Sequence, residues 1–196
     1  KELYLHPDYR EVLDVLDMQL VQYGSALIQR RQTFAEELGE IVHRIHSQLS
    51  GGQEEMELKY EPNVTVDAFA QMLFANRERD MRLKTTATGP HRDDISFVVN
   101  GVDIRKFGSQ GQQRTAALSL KLSEIELVKR LIGDTPVLLL DDVLSELDSG
   151  RQNYLLNSIE NIQTLITCTG LEDFVNHRFH IDKIFKVEEG KVTSQN

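Results

Sequence analysis

The chain has 196 residues, of which 40% are hydrophobic, so it can bury a core and a disordered chain is excluded. Its formal net charge of −9 excludes a surface that grips nucleic acid throughout, because phosphate binding needs clustered Lys and Arg, and any such contact must be local. No apolar run approaches the roughly 18 residues of a membrane span, and no secretory leader is visible, so we expect a cytoplasmic protein without a membrane partner.

Cysteine and basic residues narrow the possibilities further. The single cysteine, Cys168, excludes an internal disulfide, and its strand-like surroundings predict a buried thiol with a structural role. Two local basic clusters, Arg30-Arg31 and the segment from Arg77 to Lys84, are interleaved with acids. This pattern favours solvated faces over nucleic-acid contacts.

The first 50 residues predict one long helix, from about Asp8 to Ser50. Gly24 and Gly39 weaken it locally, by about 1 kcal/mol each relative to Ala. Its apolar stripe needs a helical partner or a sheet to bury it, and both a packed helix and a protruding arm fit the pattern. The stripe consists of Leu13, Leu20, Leu27, Phe34 and Ile41, with Leu16, Tyr23, Leu38 and Ile45 between them.

Two shorter elements and a hairpin follow. Glycines end the first helix, an alternating segment predicts a strand near residues 56–60, and Thr65 or Asp67 caps a helix over 66–82. Gly89-Pro90 then marks a boundary. Asn100-Gly101 predicts a type I′ turn between two alternating segments, with Ile95, Phe97 and Val99 in the first and Val102 and Ile104 in the second.

A hydroxyl and a glycine, Ser109 and Gly111, come directly before a long helical pattern. A helix N-terminus presents unpaired N–H groups and a positive dipole end, and glycine lets a phosphate approach the backbone. The loop therefore suits an anion, although a simple Ser N-cap fits the same residues. The helix is expected to bury one apolar face formed by Leu118, Leu122, Ile125 and Leu131.

Four apolar residues, Val137 to Leu140, lead into two carboxylates, Asp141 and Asp142. A strand buried on both faces of a parallel sheet delivers acids to its C-terminal edge in this way, and ligands bind at that edge. Asp141 suits Mg²⁺, and Asp142 can polarise an attacking water.

The rest of the chain completes a βαβ pattern. A helix over about 149–161 separates this strand from a second one over 164–168, and the spacing predicts that the two are parallel. The tail predicts an edge hairpin that turns at Glu189-Gly190 and closes the sheet.

Three of these segments resemble motifs of ABC-type ATPases. Ser109 to Arg114 is similar to their signature loop, Val137 to Asp142 to their Walker B strand, and Ser145 to Asp148 to their D-loop. With Thr88-Gly89-Pro90-His91-Arg92-Asp93-Asp94 ahead of a hairpin, the combination resembles the RecF family, in the SMC-like branch of these ATPases. The resemblance covers nearly the whole chain.

The resemblance implies an α/β fold, with the C-terminal lobe of an ABC-type ATPase head and a helical arm. Residues 1–84 would be the arm, with a short strand near 56–60, and residues 85–196 the lobe, with a parallel or mixed sheet and helices. No Gly-x-x-x-x-Gly-Lys-Ser/Thr loop is present. We therefore expect the C-terminal part of a longer protein, in which ATP and Mg²⁺ both require an N-terminal part.

The resemblance also implies roles for individual residues. The signature loop would bind, in trans, an ATP held by a second copy, Asp141 would hold the metal and Asp142 would be catalytic. Thr169 stands at the switch position, where ABC ATPases usually carry a histidine. His91 and Arg92 are candidate contacts of the nucleotide site or the dimer seam. The in-trans nucleotide residues are Ser109, Gln110, Gly111 and Gln112, and the D-loop residues at the dimer seam are Ser145, Glu146, Leu147 and Asp148.

In function, the resemblance implies a weak DNA-dependent ATPase of recombinational repair at gaps and stalled replication forks, with this chain inactive alone. Its partners would be duplex DNA near single-strand junctions, RecR and RecO, and a second copy in an ATP-dependent homodimer. Two alternatives stay open. One is a transporter-type ABC ATPase subunit. Three features of such subunits are missing here: two adjacent glycines in the signature loop, Asp-Glu after the Walker B strand, and the switch histidine. The other is a structural interaction fragment.

Overall fold

The computed structural model describes residues 10–169 and 181–195 and shows a mixed α/β protein. The chain divides into two compact units, Lys1–Leu127 and Val128–Asn196, and the boundary lies inside one long helix. In the described ranges, no helix is both long and apolar enough to cross a membrane.

The first unit contains helix α1 (Arg10–Leu49), strand β1 (Met56–Glu61), helix α2 (Val66–Leu83), a 3-10 turn (Pro90–Arg92), strands β2 (Asp94–Val99) and β3 (Val102–Asp103), helix α3 (Ile104–Phe107) and most of helix α4 (Gln110–Ile132). The second contains strand β4 (Leu138–Asp141), a 3-10 turn (Leu144–Glu146), helix α5 (Ser149–Ser158) and strands β5 (Thr164–Thr167), β6 (Ile184–Glu188) and β7 (Lys191–Gln195). The predicted long helix, second helix, short strand and hairpin are confirmed.

The buried face of α1 differs from the predicted stripe. Leu20, Leu27 and Phe34 are exposed. Leu38, Ile41 and Ile45 of the predicted stripe are buried as predicted, and they share the buried face with Ile28, Ala35, Val42 and Leu49, which were not predicted. Gly24 lies on that face and explains the choice, because a Cβ there would lie 2.5 Å from a ring carbon of the fully buried Phe69. The glycine lets α2 approach α1, so the face that contains it is the one that packs.

A three-stranded antiparallel sheet lies against α1. β1 pairs with β2, from Met56 opposite Val99 to Glu61 opposite Asp94, and β2 pairs with β3. Asn100 and Gly101 both have positive φ, 48° and 82°, as a type I′ turn requires. β1 precedes the predicted boundary at residue 84, β2 follows it, and the two strands pair in one sheet. The predicted arm and lobe are therefore not structurally separate in this unit. Their roles as functional parts of an ATPase head stay a prediction.

The second unit contains the predicted parallel pair. β4 and β5 run parallel, with Asp141 opposite Thr167, and α5 connects them. The predicted burial on both faces is wrong here, since Leu140 is buried but Leu139 is 71% exposed. The physical reason is that the described part of this sheet has only two strands, so β4 lies at its edge. β6 and β7 form their own two-stranded sheet, so the described tail does not extend the β4–β5 sheet.

Two predictions of burial also fail. Cys168 is exposed, because it lies one residue beyond the end of β5. Leu131 is exposed as well, whereas Leu118, Leu122 and Ile125 of the same helix are buried as predicted. The last turn of α4 therefore carries an apolar residue that the described part of the chain leaves exposed.

Candidate functional site

The signature loop forms the start of helix α4. The hydroxyl oxygen of Ser109 accepts from the backbone N–H of Gln112 at 3.2 Å, and the side-chain oxygen of Gln112 accepts from the backbone N–H of Ser109 at 3.0 Å. This reciprocal pair is a capping box, in which each side chain accepts from the backbone N–H group of the other residue. Two N–H groups that would otherwise be unpaired at the helix start are satisfied in this way. Ser109 is thus a helix cap, as the simpler interpretation of the sequence predicted.

The capping box leaves part of the helix start open. No described residue accepts from the backbone N–H of Gln110 or Gly111, and both residues are exposed. A Cβ built on Gly111 would meet only the Ser109 hydroxyl, at 3.9 Å, which is ordinary contact. Packing among the described residues therefore does not require the glycine, although a helical glycine costs about 1 kcal/mol relative to Ala.

The preceding residues fix where this helix begins. A Cβ on Gly108 would lie 2.6 Å from the carbonyl oxygen of Ile104, so only glycine fits there. The side chain of Gln113 donates to the same carbonyl at 2.9 Å, and Ile104 itself is buried. The one-turn helix α3 lies between β3 and the signature loop, and Asp103 caps it by accepting from the N–H of Arg105. The signature loop is anchored through Ile104.

The carboxylate edge lies at the end of β4. The hydroxyl of Thr167 donates to Asp141, and the backbone N–H of Asp142 is bonded to the carbonyl oxygen of Thr167 at 3.2 Å and to its hydroxyl oxygen at 3.1 Å. Asp142 has a φ of 51°, a left-handed conformation that non-glycine residues rarely adopt. This backbone turns Asp142 out of the strand, and both carboxylates are exposed.

The D-loop segment follows in the same unit. The Ser145 hydroxyl donates to the carbonyl oxygen of Asp142 at 2.9 Å, which ties the loop to the strand end. Asp148 caps α5 by accepting from the N–H of Arg151 at 3.0 Å, and this hydrogen bond lowers the pKa of the Asp148 carboxyl. Leu147 is partly buried, and the Glu146 side chain lies outside the described part. Thr169 is exposed beyond β5.

The edge is compatible with magnesium but not with a metal held by protein ligands alone. Within the described ranges, no group of three or more His, Cys, Asp or Glu side chains is placed to hold a metal ion. Mg²⁺ is usually held by one or two carboxylates, with phosphate oxygens and waters completing its shell. The Asp141 carboxylate, with the Thr167 hydroxyl bonded to it, is a donor set of that kind.

The candidates His91 and Arg92 lie in the segment that joins α2 to β2, and their proposed roles stay a prediction. Both side chains are exposed, and they contact the preceding segment, with His91 Nε2 at 2.8 Å from the carbonyl oxygen of Thr86 and Arg92 donating to the Thr85 hydroxyl at 3.3 Å. The buried member of the cluster is Asp93, whose side chain is 2% exposed.

Several known proteins are similar to this chain over nearly its whole length. No family model matches the chain. The DNA replication and repair protein RecF of Agathobacter rectalis is 58% identical over 192 residues, which cover 98% of this chain and 53% of the relative. RecF of Lachnospira eligens is 58% identical over 186 residues and RecF of Clostridium perfringens 43% over 187. A solved structure of the recombination mediator protein RecF-ATP in the RecFOR pathway has a TM-score of 0.80 at 32% identity, covering 95% of this chain and 51% of that one.

The chain belongs to the RecF family. It spans about half the length of the curated RecF relatives that it matches. The resemblance inferred from the motifs, and the mixed α/β fold that it implied, are therefore confirmed.

RecF-type motif residues thus fall into two groups, the signature loop in the first unit and the carboxylate edge with the D-loop in the second. The sequence contains a signal for the capping role of Gln112, because Ser109-x-x-Gln112 is the spacing of a capping box. It carried none for Thr167 beside Asp141, or for Glu54 beside Gln112, because these pairs are 26 and 58 residues apart.

Proposed function

We propose that this chain is the signature-bearing part of a RecF-type DNA replication and repair protein, in which two copies close around ATP. Each signature loop would cap the γ-phosphate of an ATP held by the other copy. ATP then favours the dimer, and hydrolysis releases it. The observation that carries this proposal is Gly111, a helical glycine for which the described residues give no packing reason, beside two open N–H groups.

The physical support at the signature loop is the open helix start. Backbone N–H groups and the helix dipole favour an anion at this place, and an absent Cβ allows phosphate oxygens to reach the backbone. Since Ser109 and Gln112 already satisfy each other, the N–H groups of Gln110 and Gly111 are the donors left for a phosphate. The loop binds from outside, in agreement with an ATP presented by a second copy.

At the carboxylate edge, Asp141 would hold Mg²⁺ and Asp142 would act as the catalytic base. When bound, the magnesium ion neutralises charge on the phosphate oxygens. The left-handed backbone of Asp142 costs on the order of 1 kcal/mol, and such strain is concentrated at functional positions. Hydrogen bonds from the Asp142 N–H to Thr167 hold this backbone conformation at the strand end.

The remaining roles follow from the family. The D-loop residues would lie at the dimer seam, where the capping of α5 by Asp148 keeps the loop in place. Thr169 would occupy the switch position, and His91 and Arg92 remain candidate contacts of the nucleotide site or the dimer seam. The complete protein would be a weak DNA-dependent ATPase in the cytoplasm that acts on duplex DNA near single-strand junctions, with RecR and RecO as partners.

The test uses the complete gene product that contains these 196 residues. Sedimentation of that protein with no nucleotide, with ATP and with ATP plus duplex DNA separates the possibilities. We expect monomers without nucleotide, dimers with ATP and a larger ATP-dependent complex with DNA. A sedimentation coefficient that ATP leaves unchanged would reject the ATP-closed dimer.

A further inference from the structure

A fully buried histidine lies at the end of α1. The His46 side chain is 0% exposed, and its two ring nitrogens face two different elements. Nδ1 lies 2.9 Å from the hydroxyl oxygen of Ser119 on α4, and Nε2 lies 3.1 Å from a carboxylate oxygen of Glu54. His46 therefore bridges the signature helix and the segment after α1.

The hydrogen-bonding capacity of the neighbours sets the direction of both bonds. The Ser119 hydroxyl donates its only hydrogen to the carbonyl oxygen of Thr115 at 2.7 Å, so its oxygen accepts from Nδ1 of His46. A carboxylate can only accept, so Nε2 donates to Glu54. Both ring nitrogens then donate, and His46 and Glu54 form an ion pair with the ring buried.

Glu54 carries this connection to the signature loop. Its second carboxylate oxygen accepts from the side-chain amide of Gln112 at 3.0 Å. The other end of that amide, its oxygen, accepts from the N–H of Ser109 in the capping box. A continuous path of hydrogen bonds thus runs from His46 through Glu54 and Gln112 to Ser109.

Glu54 is itself held in place. The Ser50 hydroxyl accepts from the backbone N–H of Glu54 at 3.2 Å and lies 3.3 Å from its carbonyl oxygen. Asn100, in the hairpin turn, donates to the carbonyl oxygen of Gln53 and accepts from the N–H of Glu55. The backbone around Glu54 is therefore held by Ser50, just after α1, on one side and by the hairpin turn on the other.

We propose that Glu54 is a positioning residue for the signature loop and that the buried His46 ring fixes its carboxylate. This inference rests on the proposed function, because it concerns the same loop. The Gln112 side chain has a single amide group. Glu54 accepts from the nitrogen of that amide, so the amide oxygen faces the N–H of Ser109 in the capping box. The link ties the phosphate-facing helix start to the end of the long helix α1, so a movement of α1 would reach the loop.

The first test observes the hydrogen bonds from His46 through Glu54 to Gln112 in the complete protein, with selective ¹⁵N labelling of His and Gln. We expect a proton on Nε2 of His46 at neutral pH and a Gln112 side-chain amide resonance that moves in Glu54→Gln but not in Glu55→Gln. Glu55 is the matched control because it is the next residue and is exposed. A bare Nε2, or a Gln112 resonance unchanged in Glu54→Gln, would overturn the proposal.

An exchange of the two side chains tests whether polarity rather than packing matters. In Glu54→Gln an amide nitrogen competes with that of Gln112, and in Gln112→Glu two carboxylates meet at the 3.0 Å contact. In the double variant, donor and acceptor are restored in reverse order. We expect amide exchange at Ser109 to be faster by about tenfold in each single variant, and near the wild-type rate in the double variant. Double-variant exchange as fast as in the singles would contradict a polar link.

A functional test measures ATP-dependent dimerisation of the complete protein. Glu54→Gln should raise the protein concentration needed for the dimer by about tenfold, without changing the ATP affinity of the monomer, while Glu55→Gln leaves both unchanged. If the wild type itself fails to dimerise with ATP, the proposed function fails, and the spectroscopic tests still judge the link. If the wild type dimerises and Glu54→Gln dimerises equally well, the positioning role is wrong.

Discussion

Arg31 on α1 and Asp93, just before β2, form an ion pair with Nη1 2.9 Å from Oδ2, and the Asp93 side chain is 2% exposed. The same carboxylate accepts from the Tyr60 hydroxyl and from the backbone N–H of Asn63 at 2.9 Å. Arg31 also donates to the carbonyl oxygen of Pro90. One buried carboxylate thus joins α1, β1 and the Gly89-Pro90 segment.

Asp93→Asn should destabilise the protein, because an amide cannot accept from all three donors and leaves buried groups without a partner. The expected loss is about 2–3 kcal/mol, below the range for fully buried pairs because Arg31 keeps access to water. Urea unfolding monitored by circular dichroism measures it. Asp94→Asn is the control, since Asp94 pairs with Arg105 at an exposed site, where solvent screens the pair, and its loss should cost much less. Equal costs for the two variants would contradict this account.

Tyr60 makes stability depend on alkaline pH. Burial, and then the hydrogen bond to Asp93, raise the pKa of Tyr60 from 10.0 to about 12. The unfolded chain loses the phenolic proton first, so the contribution is fully present below pH 10 and is lost as pH rises towards 12. Tyr60→Phe should therefore lose less stability over this window than the wild type, as pH-dependent urea midpoints would show. Tyr23→Phe, at an exposed ring, should follow the wild type; if Tyr60→Phe also follows it, Tyr60 is not the group responsible.

Gly111→Ala separates folding from function. A Cβ fits there, so the variant should be as stable as the wild type or about 0.5 kcal/mol more stable, because Ala favours helix. ATP-dependent dimerisation of the complete protein should weaken by about tenfold, since the methyl group occupies the approach to the backbone N–H groups. Thermal unfolding and light scattering measure the two effects.

Gly39→Ala is the matched control, because its Cβ would also meet only ordinary contacts, at 3.7 Å or more. It should change helix stability similarly and leave dimerisation intact. Unaltered dimerisation in Gly111→Ala would remove the observation on which the proposed function depends.

Local patterns predicted the elements well, and long-range contacts explain the failures. Asn100-Gly101 was enough for the hairpin, since the turn conformation depends on those two residues. The buried face of α1 was predicted only in part, because the helix has two apolar stripes and Phe69, 45 residues beyond Gly24, packs on the one that contains this glycine. The positive φ of Asp142 was equally invisible, because Thr167 on the neighbouring strand holds it.

Asp142→Asn should slow ATP hydrolysis by the complete protein by about a hundredfold, because an amide of the same size cannot accept a proton from water. ATP binding should persist, so ATP-bound dimers should accumulate. Phosphate release measures the rate, and sedimentation measures the dimer. Asp134→Asn is the control, at an exposed acid before the same strand. Hydrolysis at the wild-type rate in Asp142→Asn would place the base elsewhere.

Ser109→Arg should abolish ATP-driven dimerisation without lowering the ATP affinity of each monomer. The long side chain would fill the space in front of the open N–H groups of Gln110 and Gly111, and the capping bond to the Gln112 N–H would be lost. An arginine could attract phosphate by its charge, but at a longer range than the backbone contacts that it blocks. The steric effect should prevail.

Ser109→Ala is the control for Ser109→Arg, because both variants lose the cap, at about 1 kcal/mol of stability, and only arginine adds bulk. We expect dimers of Ser109→Ala to form at higher protein concentration than those of the wild type, and none from Ser109→Arg, in light scattering with ATP. Full dimerisation of Ser109→Arg would mean that Ser109 is a helix cap alone and that no phosphate approaches this helix start. Loss of dimers in both variants would instead assign the effect to the cap itself, since the two share that change and differ only in size.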